Sequence, residues 1–304
     1  MSREGRAEIA AINSGLADLS YPWRAGMNPM VLLSADERTR WLGYVPGPDD
    51  VSLAEAEEIS STNADSVRDG TAAHPVRFDW RTIDNGAYVP AVRSQGNCGS
   101  CVAFGTTAAL TVQAWRTLGM PAPPVPATEA QLSAAYLYYC VAEAQQGRMC
   151  AGPNGGWWPQ AATAAVAADG CAYDYYYGYS AGDQPCRAEV PWNGVKAGSS
   201  ITINNSNAMK EYIASTGPLV GAFTVYDDFF SYTSGVYRHT TGNIAGGHCI
   251  AVMGFDDSLN AWLCQNSWGS RWGMSGYFWI GYGQCGIDDS MYAMNDLTIV
   301  TGQT

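Results

Sequence analysis

From about residue 200 onward, short apolar runs alternate with clusters of glycine, asparagine and aspartate. The runs are ITI, PLVGAFTVY, HCIAVMGF, AWLCQNSW and GYFWIGY. Runs of that length, rich in β-branched and aromatic residues and bounded by turn formers, predict strands. Between 100 and about 170 the spacing changes. Apolar residues fall at 102, 103, 109, 110 and 112, then at 132, 136 and 137, and an alanine-rich stretch occupies 161–168. That spacing predicts helices. Helices first and strands later, without alternation, predict an α+β fold rather than a parallel sheet covered on both faces.

The first 74 residues follow another pattern. An alanine-rich stretch near 6–19 predicts a short helix. Ser34-Ala35-Asp36-Glu37 reads as an N-cap with early acids, opening a second helix through about Leu42. Gly43, Pro46 and Pro48 then stop it. Residues 49–70 are acidic and Ser/Ala-rich with almost no aromatics, which predicts a helix-poor linker or exposed tether. The composition shifts at His74-Pro75, and nine of the eleven tryptophans lie beyond it.

Charge and cysteine content narrow the function. The 304 residues carry 28 acids against 16 bases, a formal −12, and half of that excess sits in residues 1–74. So acidic a chain has no electrostatic footprint for nucleic acid. No apolar run approaches 18 residues, so no transmembrane helix and no membrane partner is expected. The opening MSREGRAEIAAINSGLADL has no apolar core of signal-peptide length. All nine cysteines lie at or after position 98, and an odd count leaves at least one thiol outside any set of disulfides.

One cysteine sits where a nucleophile belongs. Gln95-Gly96-Asn97-Cys98-Gly99-Ser100-Cys101 is a glycine-rich turn leading into a predicted helix, with Gly119 and Pro121 near its far end. At a helix start, unpaired N–H groups and the helix dipole favour thiolate over thiol. Cys98 and Cys101 also form a C-x-x-C, which raises a redox site or a zinc site. Zinc would need a second cysteine or histidine pair at comparable spacing, and a redox site would need a βαβ surround; neither is present. Acyl transfer needs a base, a group to orient it and an oxyanion donor. Of the three histidines, His74 lies at the composition boundary and His239 in a turn-like setting. His248 opens a strand, and Asn266 follows 18 residues later across what reads as a hairpin. In an antiparallel pair the two would lie nearly opposite, with Trp268 shielding their hydrogen bond.

QGNCGSCVAFG, PNGG at 153–156, GGHCIAVMGF and QNSWGSRWGMSGYFWI together span about 180 residues in an order that resembles the papain family of cysteine proteases. Residues 217–248 and CGIDDS at 285–290 are most similar to the cathepsin B branch. The resemblance implies a two-lobed fold, with a mainly helical lobe at about 75–190, a β-barrel-like lobe at about 191–304 and the active-site cleft between them. It implies Cys101 as nucleophile, His248 as base and then acid, Asn266 as its orienter and Gln95 as the oxyanion amide. No cofactor and no metal are implied. Val102 departs from the aromatic residue usual after the nucleophile.

The resemblance extends to the front segment. Tyr21-Pro22-Trp23-Arg24 and Arg40-Trp41-Leu42-Gly43 are similar to the short propeptides of cathepsin B-like zymogens, which run through the cleft against the substrate direction. Residues 1–74 are therefore expected to be an inhibitory propeptide and linker, anchored by Trp23 and crossing the site at Leu42-Gly43. Residues 75–304 are expected to be the peptidase, a monomer acting on proteins or peptides. Family positions for substrate contact fall on Gly99, Gly155, Gly156, Trp157, Trp158, Ala222, Gly247, Cys249, Trp268 and Ser290. Ser290 replaces an acid that admits arginine in cathepsin B, which implies a preference for bulky apolar residues two before the scissile bond. The histidine-bearing loop that makes cathepsin B a dipeptide-removing exopeptidase is missing between Gly170 and Trp192, which favours an endopeptidase. The family pairs Cys98 with Cys150 and suggests Cys140 with Cys186, with Cys171 a competitor. Cys249, Cys264 and Cys285 are expected to stay free. Disulfides suggest secretion or a lysosome- or vacuole-like compartment. The other readings are an exopeptidase, a catalytically silent binding homologue and a thiol-disulfide oxidoreductase.

Overall fold

The computed structural model describes residues 3–17, 23–48, 50–63, 74–119, 130–187 and 191–303. The Tyr21-Pro22 part of the front motif, Pro121 and residues 64–73 of the expected linker and boundary lie outside them.

The front segment is built from small elements laid on the body. α1 (Arg3–Leu16) is followed by β1 (Arg24–Ala25) and α2 (Ala35–Thr39). Ser34 caps α2 as the sequence predicts, with Glu37 Oε2 accepting from the Ser34 N–H at 2.8 Å and Ser34 Oγ accepting from the Glu37 N–H at 3.3 Å. The helix stops at Thr39 rather than Leu42, and the chain leaves it through tight turns in which Trp41 and Leu42 N–H donate to Arg38 O and Thr39 O. The helix-poor reading of 49–70 is wrong for its first part: α3 (Leu53–Asn63) forms there. A second capping box, Ser52 with Glu55, nucleates it, and alanine and glutamate are strong helix formers.

In the body, β2 (Arg77–Asp79) leads to α4 (Cys101–Leu118), a π-helical segment at Tyr136–Glu143, α5 (Pro159–Ala168) and β3 (Cys171–Ala172). The second half contains β4 (Trp192–Lys196), β5 (Ser199–Ile203), α6 (Ser206–Ser215), β6 (Leu219–Tyr226), β7 (Tyr232–Ser234) and β8 (Val236–Tyr237). It ends with β9 (Ile244–Asp256), β10 (Ala261–Gln265), β11 (Tyr277–Gly281), β12 (Met291–Asn295) and β13 (Thr298–Gln303). The fold is α+β, as the hydropathy pattern predicts.

The main sheet runs β5-β12-β6-β9-β10-β11-β8, with β2 also paired to β9. It does not close into the barrel expected for this lobe. Its edge strand β8 is two residues long, and the neighbouring β7 is occupied by β1. β2 joins the sheet of the second half, and β4 and β13 form a separate sheet with β3 of the first half. α4 is buried through most of its length, from Cys101 to Trp115. It reaches β9 backbone to backbone at Gly105, where a Cβ would lie 2.9 Å from Ile250 main chain. That close approach brings the start of α4 and the middle of β9 to the same place. No helix among the described residues is long and apolar enough to cross a membrane.

Two disulfides form, Cys98–Cys150 and Cys140–Cys186, with sequence separations of 52 and 46. Each restrains the unfolded chain by about 2–4 kcal/mol. Cys101, Cys171, Cys249, Cys264 and Cys285 are free and buried, which removes Cys171 as a competitor for Cys140 or Cys186.

Candidate active site

The 95–101 turn is fixed from both halves of the molecule. Gln95 N–H donates to Ser267 O at 2.9 Å, and Ser267 Oγ donates to Gln95 Oε1 at 2.6 Å. Gln95 Nε2 donates to Cys98 O at 2.9 Å. Gly99 N–H donates to Cys150 O at 2.8 Å, beside the Cys98–Cys150 bridge. Cys101 then opens α4 with its side chain fully buried.

His248 stands on β9 with its ring fully buried, and its Nε2 bonds Asn266 Oδ1 at 2.7 Å. The expected pairing register is corrected here. β10 pairs Gln265 with Ala251 and Cys264 with Val252, through an irregularity after Leu263. Asn266 therefore approaches His248 from a position two residues further along the same face, not directly opposite. The shift preserves side-chain parity, which is why the contact survives and why Cys249 and Cys264 still face opposite ways. Trp268 covers the imidazole, with ring centroids 4.7 Å apart.

Main chain from the front segment fills the groove above these residues. Gly43 and Tyr44 N–H groups donate to Gly247 O at 3.1 and 3.0 Å. Trp157 N–H donates to Gly43 O at 2.8 Å, and Val45 N–H to Trp157 O at 3.0 Å. The segment is thus a strand between the two walls, parallel to Trp157 and antiparallel to Gly247. Upstream, Trp41 O accepts from Gln95 Nε2 at 3.0 Å and from Trp268 Nε1 at 3.4 Å. Leu42 lies against Gly246, within 3.0 Å of where its Cβ would be. Trp23 is buried against Tyr237 and Tyr232 and donates its indole N–H to Arg238 O at 2.9 Å. All three expected front-segment residues therefore touch the body.

This covering reverses the expected charge state. Burial pushes the Cys101 thiol up to about 12, although main-chain groups of Cys249, Gly43, Val102 and Cys101 itself offset part of it. Burial also lowers His248 to about 4, with the Asn266 bond opposing. Desolvation outweighs the helix dipole. Between those values both groups are neutral, and among the described residues His248 Nδ1 has no hydrogen-bond partner. The reactive pair is uncharged and not hydrogen-bonded through that nitrogen.

The substrate-contact residues divide. Gly99, Gly155, Gly156, Gly247, Cys249, Ala222 and Trp268 lie around the groove or directly behind it. Paired tryptophans at the cleft wall require correction: the Trp157 side chain is fully buried, with its indole N–H on Gln146 Oε1 at 2.8 Å. Trp157 offers the groove its backbone only, and Trp158 is the half-buried wall residue. Ser290 is half-buried and donates to Asn204 Oδ1 at 3.1 Å. Sequence reasoning missed Tyr44, whose ring presses on Gly247. Burial, then the charges of Asp50, Cys249 and Asp289, raise its phenol to about 12. Its place one residue beyond Leu42-Gly43 was the signal available.

The profile described as papain family cysteine protease matches residues 74–295. The chain belongs to that family. Cathepsin B-like CP2 of Giardia intestinalis is 32% identical over 234 residues, which is 72% of this chain and 73% of the relative. Pro-cathepsin H of Bos taurus is 30% identical over 303 residues, 94% of this chain and 83% of the relative. The structure of procathepsin B S9 from Trypanosoma congolense matches 97% of this chain and 98% of its own, with a TM-score of 0.72 at 23% identity. The likeness takes in the front segment, so this papain-family cysteine peptidase has the fold of a proenzyme.

One more group of this peptidase bears on the 95–101 turn. Glu143, beside the Cys98–Cys150 bridge, is pushed up to about 7, first by burial and then by its hydrogen bond with Asp183. Asp183 also accepts from Cys150 N–H at 2.6 Å. A folded value above the ordinary 4.5 means that stability from this pair is complete below about 4.5 and is lost as pH rises through about 7. Glu143→Gln keeps a donor toward Asp183 and cannot ionise. Its melting temperature should fall less than the wild type's between about pH 5 and about pH 8. Parallel thermal melts with equal falls would show that the pair carries no such stability.

Proposed function

We propose that the chain is the inactive precursor of a cysteine endopeptidase, with residues 1–74 as its intramolecular inhibitor. The observation that carries this reading is the front-segment strand lying over Cys101 between Trp157 and Gly247, with the Trp41 carbonyl on Gln95 Nε2. A carbonyl at that amide supports Gln95 as an oxyanion donor, acting with the Cys101 N–H. Once the strand leaves, the imidazole regains water and takes the Cys101 proton. The thiolate attacks a peptide carbonyl, and His248 returns the proton to the departing amine, leaving a thioester. Water, deprotonated by His248, then breaks the thioester and frees the acid and the thiol. Asn266 holds the imidazole orientation through its Oδ1.

Endopeptidase action rests on the Gly170–Trp192 segment, which has no histidine to capture a substrate carboxylate. Tyr44 supports the expected pocket preference: the inhibitor places an aromatic ring beside Gly247, Cys249 and Asp289. Two disulfides support an oxidising compartment, secretory or lysosome-like.

The test is to fold the full chain, remove the front segment by limited proteolysis and assay a fluorogenic peptide library. Turnover lost in Cys101→Ala, with aromatic and large aliphatic residues favoured two before the cut, is the expected result. A wild type without turnover would support a silent binding homologue, and a library dominated by arginine at that position would refute the pocket reading.

A further inference from the structure

Tyr179 has no role in the chemistry above, yet its phenol joins both ends of the turn that carries the oxyanion donors. The hydroxyl donates to Gln95 O at 2.7 Å and lies 2.7 Å from Ser100 Oγ. A phenol has one proton, and the Gln95 carbonyl can only accept. The second bond therefore runs from the Ser100 hydroxyl to the Tyr179 oxygen. Gln95 presents one donor through Nε2, and the residue after Ser100 presents the other through its N–H. The chain of bonds from Gln95 C=O through Tyr179 to Ser100 thus fixes the spacing between them.

Besides the Nε2 bonds to Cys98 O and Trp41 O, Gln95 is restrained from the opposite side. Its N–H and Oε1 are held by Ser267, next to Asn266. Tyr179 is the counter-brace from the helical half. Its ring is itself locked, stacked on Tyr139 at 5.6 Å and edge-on to Phe104 at 4.6 Å. The Cys140–Cys186 bridge ties down the segment that carries it. A rigid aromatic whose hydroxyl joins a main-chain carbonyl to a side-chain hydroxyl is what a preorganised site requires of a support.

We propose that Tyr179 is a positioning residue for the oxyanion site, setting the distance between Gln95 Nε2 and the Cys101 N–H. The proposal rests on the peptidase reading above. Misplacing an oxyanion donor costs rate in the step where negative charge develops, and little in ground-state binding.

Tyr179→Phe keeps the ring and deletes the hydroxyl. In enzyme made by folding the full chain and then removing the front segment, kcat should fall about 10- to 100-fold while KM stays within about twofold. A peptide aldehyde, whose hemithioacetal oxygen occupies the same site, should lose affinity by the factor lost in kcat/KM. Alkylation of Cys101 by iodoacetamide forms no oxyanion and should stay within about twofold of wild type. Ser100→Ala, which removes one bond of the chain, should give the same pattern more weakly, and it decides the matter if Tyr179→Phe fails to fold. Unchanged kcat, or an alkylation rate that falls with kcat, would overturn the proposal while leaving the peptidase reading intact. A wild type that alkylates but hydrolyses nothing would instead sink that reading.

Discussion

Gly43→Ala is expected to free the Cys101 thiol of the uncut chain about 100- to 1,000-fold more often than in the wild type. A Cβ at Gly43 would lie 1.9 Å from Gly99 O and 2.3 Å from Gly99 C. Neither atom can yield, because Gly99 is bonded to Cys150 O next to the Cys98–Cys150 bridge. Beside Gly99 on the same wall, Gly156 is also tight: its own Cβ would lie 2.4 Å from Gly43 O. The strand has to leave the groove, losing the bonds of Gly43, Tyr44 and Val45 to Gly247 and Trp157. At about 1 kcal/mol net for each bond, the loss comes to about 3–4 kcal/mol. Trp23 and β1 keep the rest of the segment attached, so the opening is local. The check is iodoacetamide labelling of the full-length chain, followed by intact mass and peptide mapping. The other free thiols are buried, so the gain should map to Cys101. An unchanged labelling rate would mean that some other contact keeps the thiol closed.

His248→Ala should lower kcat/KM of the opened enzyme by about 10³- to 10⁴-fold, since proton transfer fails in both half-reactions. The effect reaches the thiol as well. Without an imidazolium beside it, Cys101 should titrate toward the ordinary thiol value of about 8.5, and its alkylation profile should move to higher pH. Asn266→Ala should cost less, because it removes the 2.7 Å bond that orients the ring but leaves the base in place. Steady-state kinetics with an alkylation profile over about pH 4 to about pH 10 tests both. Equal activity of His248→Ala and wild type would remove the imidazole from the reaction.

Local chemistry made much of this molecule legible. The Ser34 capping box is written in four consecutive residues, and β5, β6, β9, β10 and β11 appear as apolar runs between turn formers. Cys101 was recognisable from the glycine-rich turn before its helix, and His248 and Asn266 from their spacing about a hairpin. The reading passed over one local signal, the Ser52–Glu55 box that opens α3, and it failed again where local signals were absent. The irregularity after Leu263 has no marker in the sequence, so the pairing offset was missed although the partner residue was right. Trp157 and Trp158 are adjacent and identical, and only packing separates the core indole from the wall indole. Tyr179 and Ser267 lie far along the chain from the turn they brace.

The sequence by itself determined the element types, the α+β class, the reactive residue types and their order along the chain, because propensity, capping and turn formation act over a few residues. The tertiary structure decided the state of the site. A strand some 60 residues upstream buries the thiol and the imidazole together, raising one to about 12 and lowering the other to about 4. Ionisation depends on water and charge at the folded surface, so the thiolate favoured by the helix start gives way to a neutral, covered thiol once that segment lies in the groove.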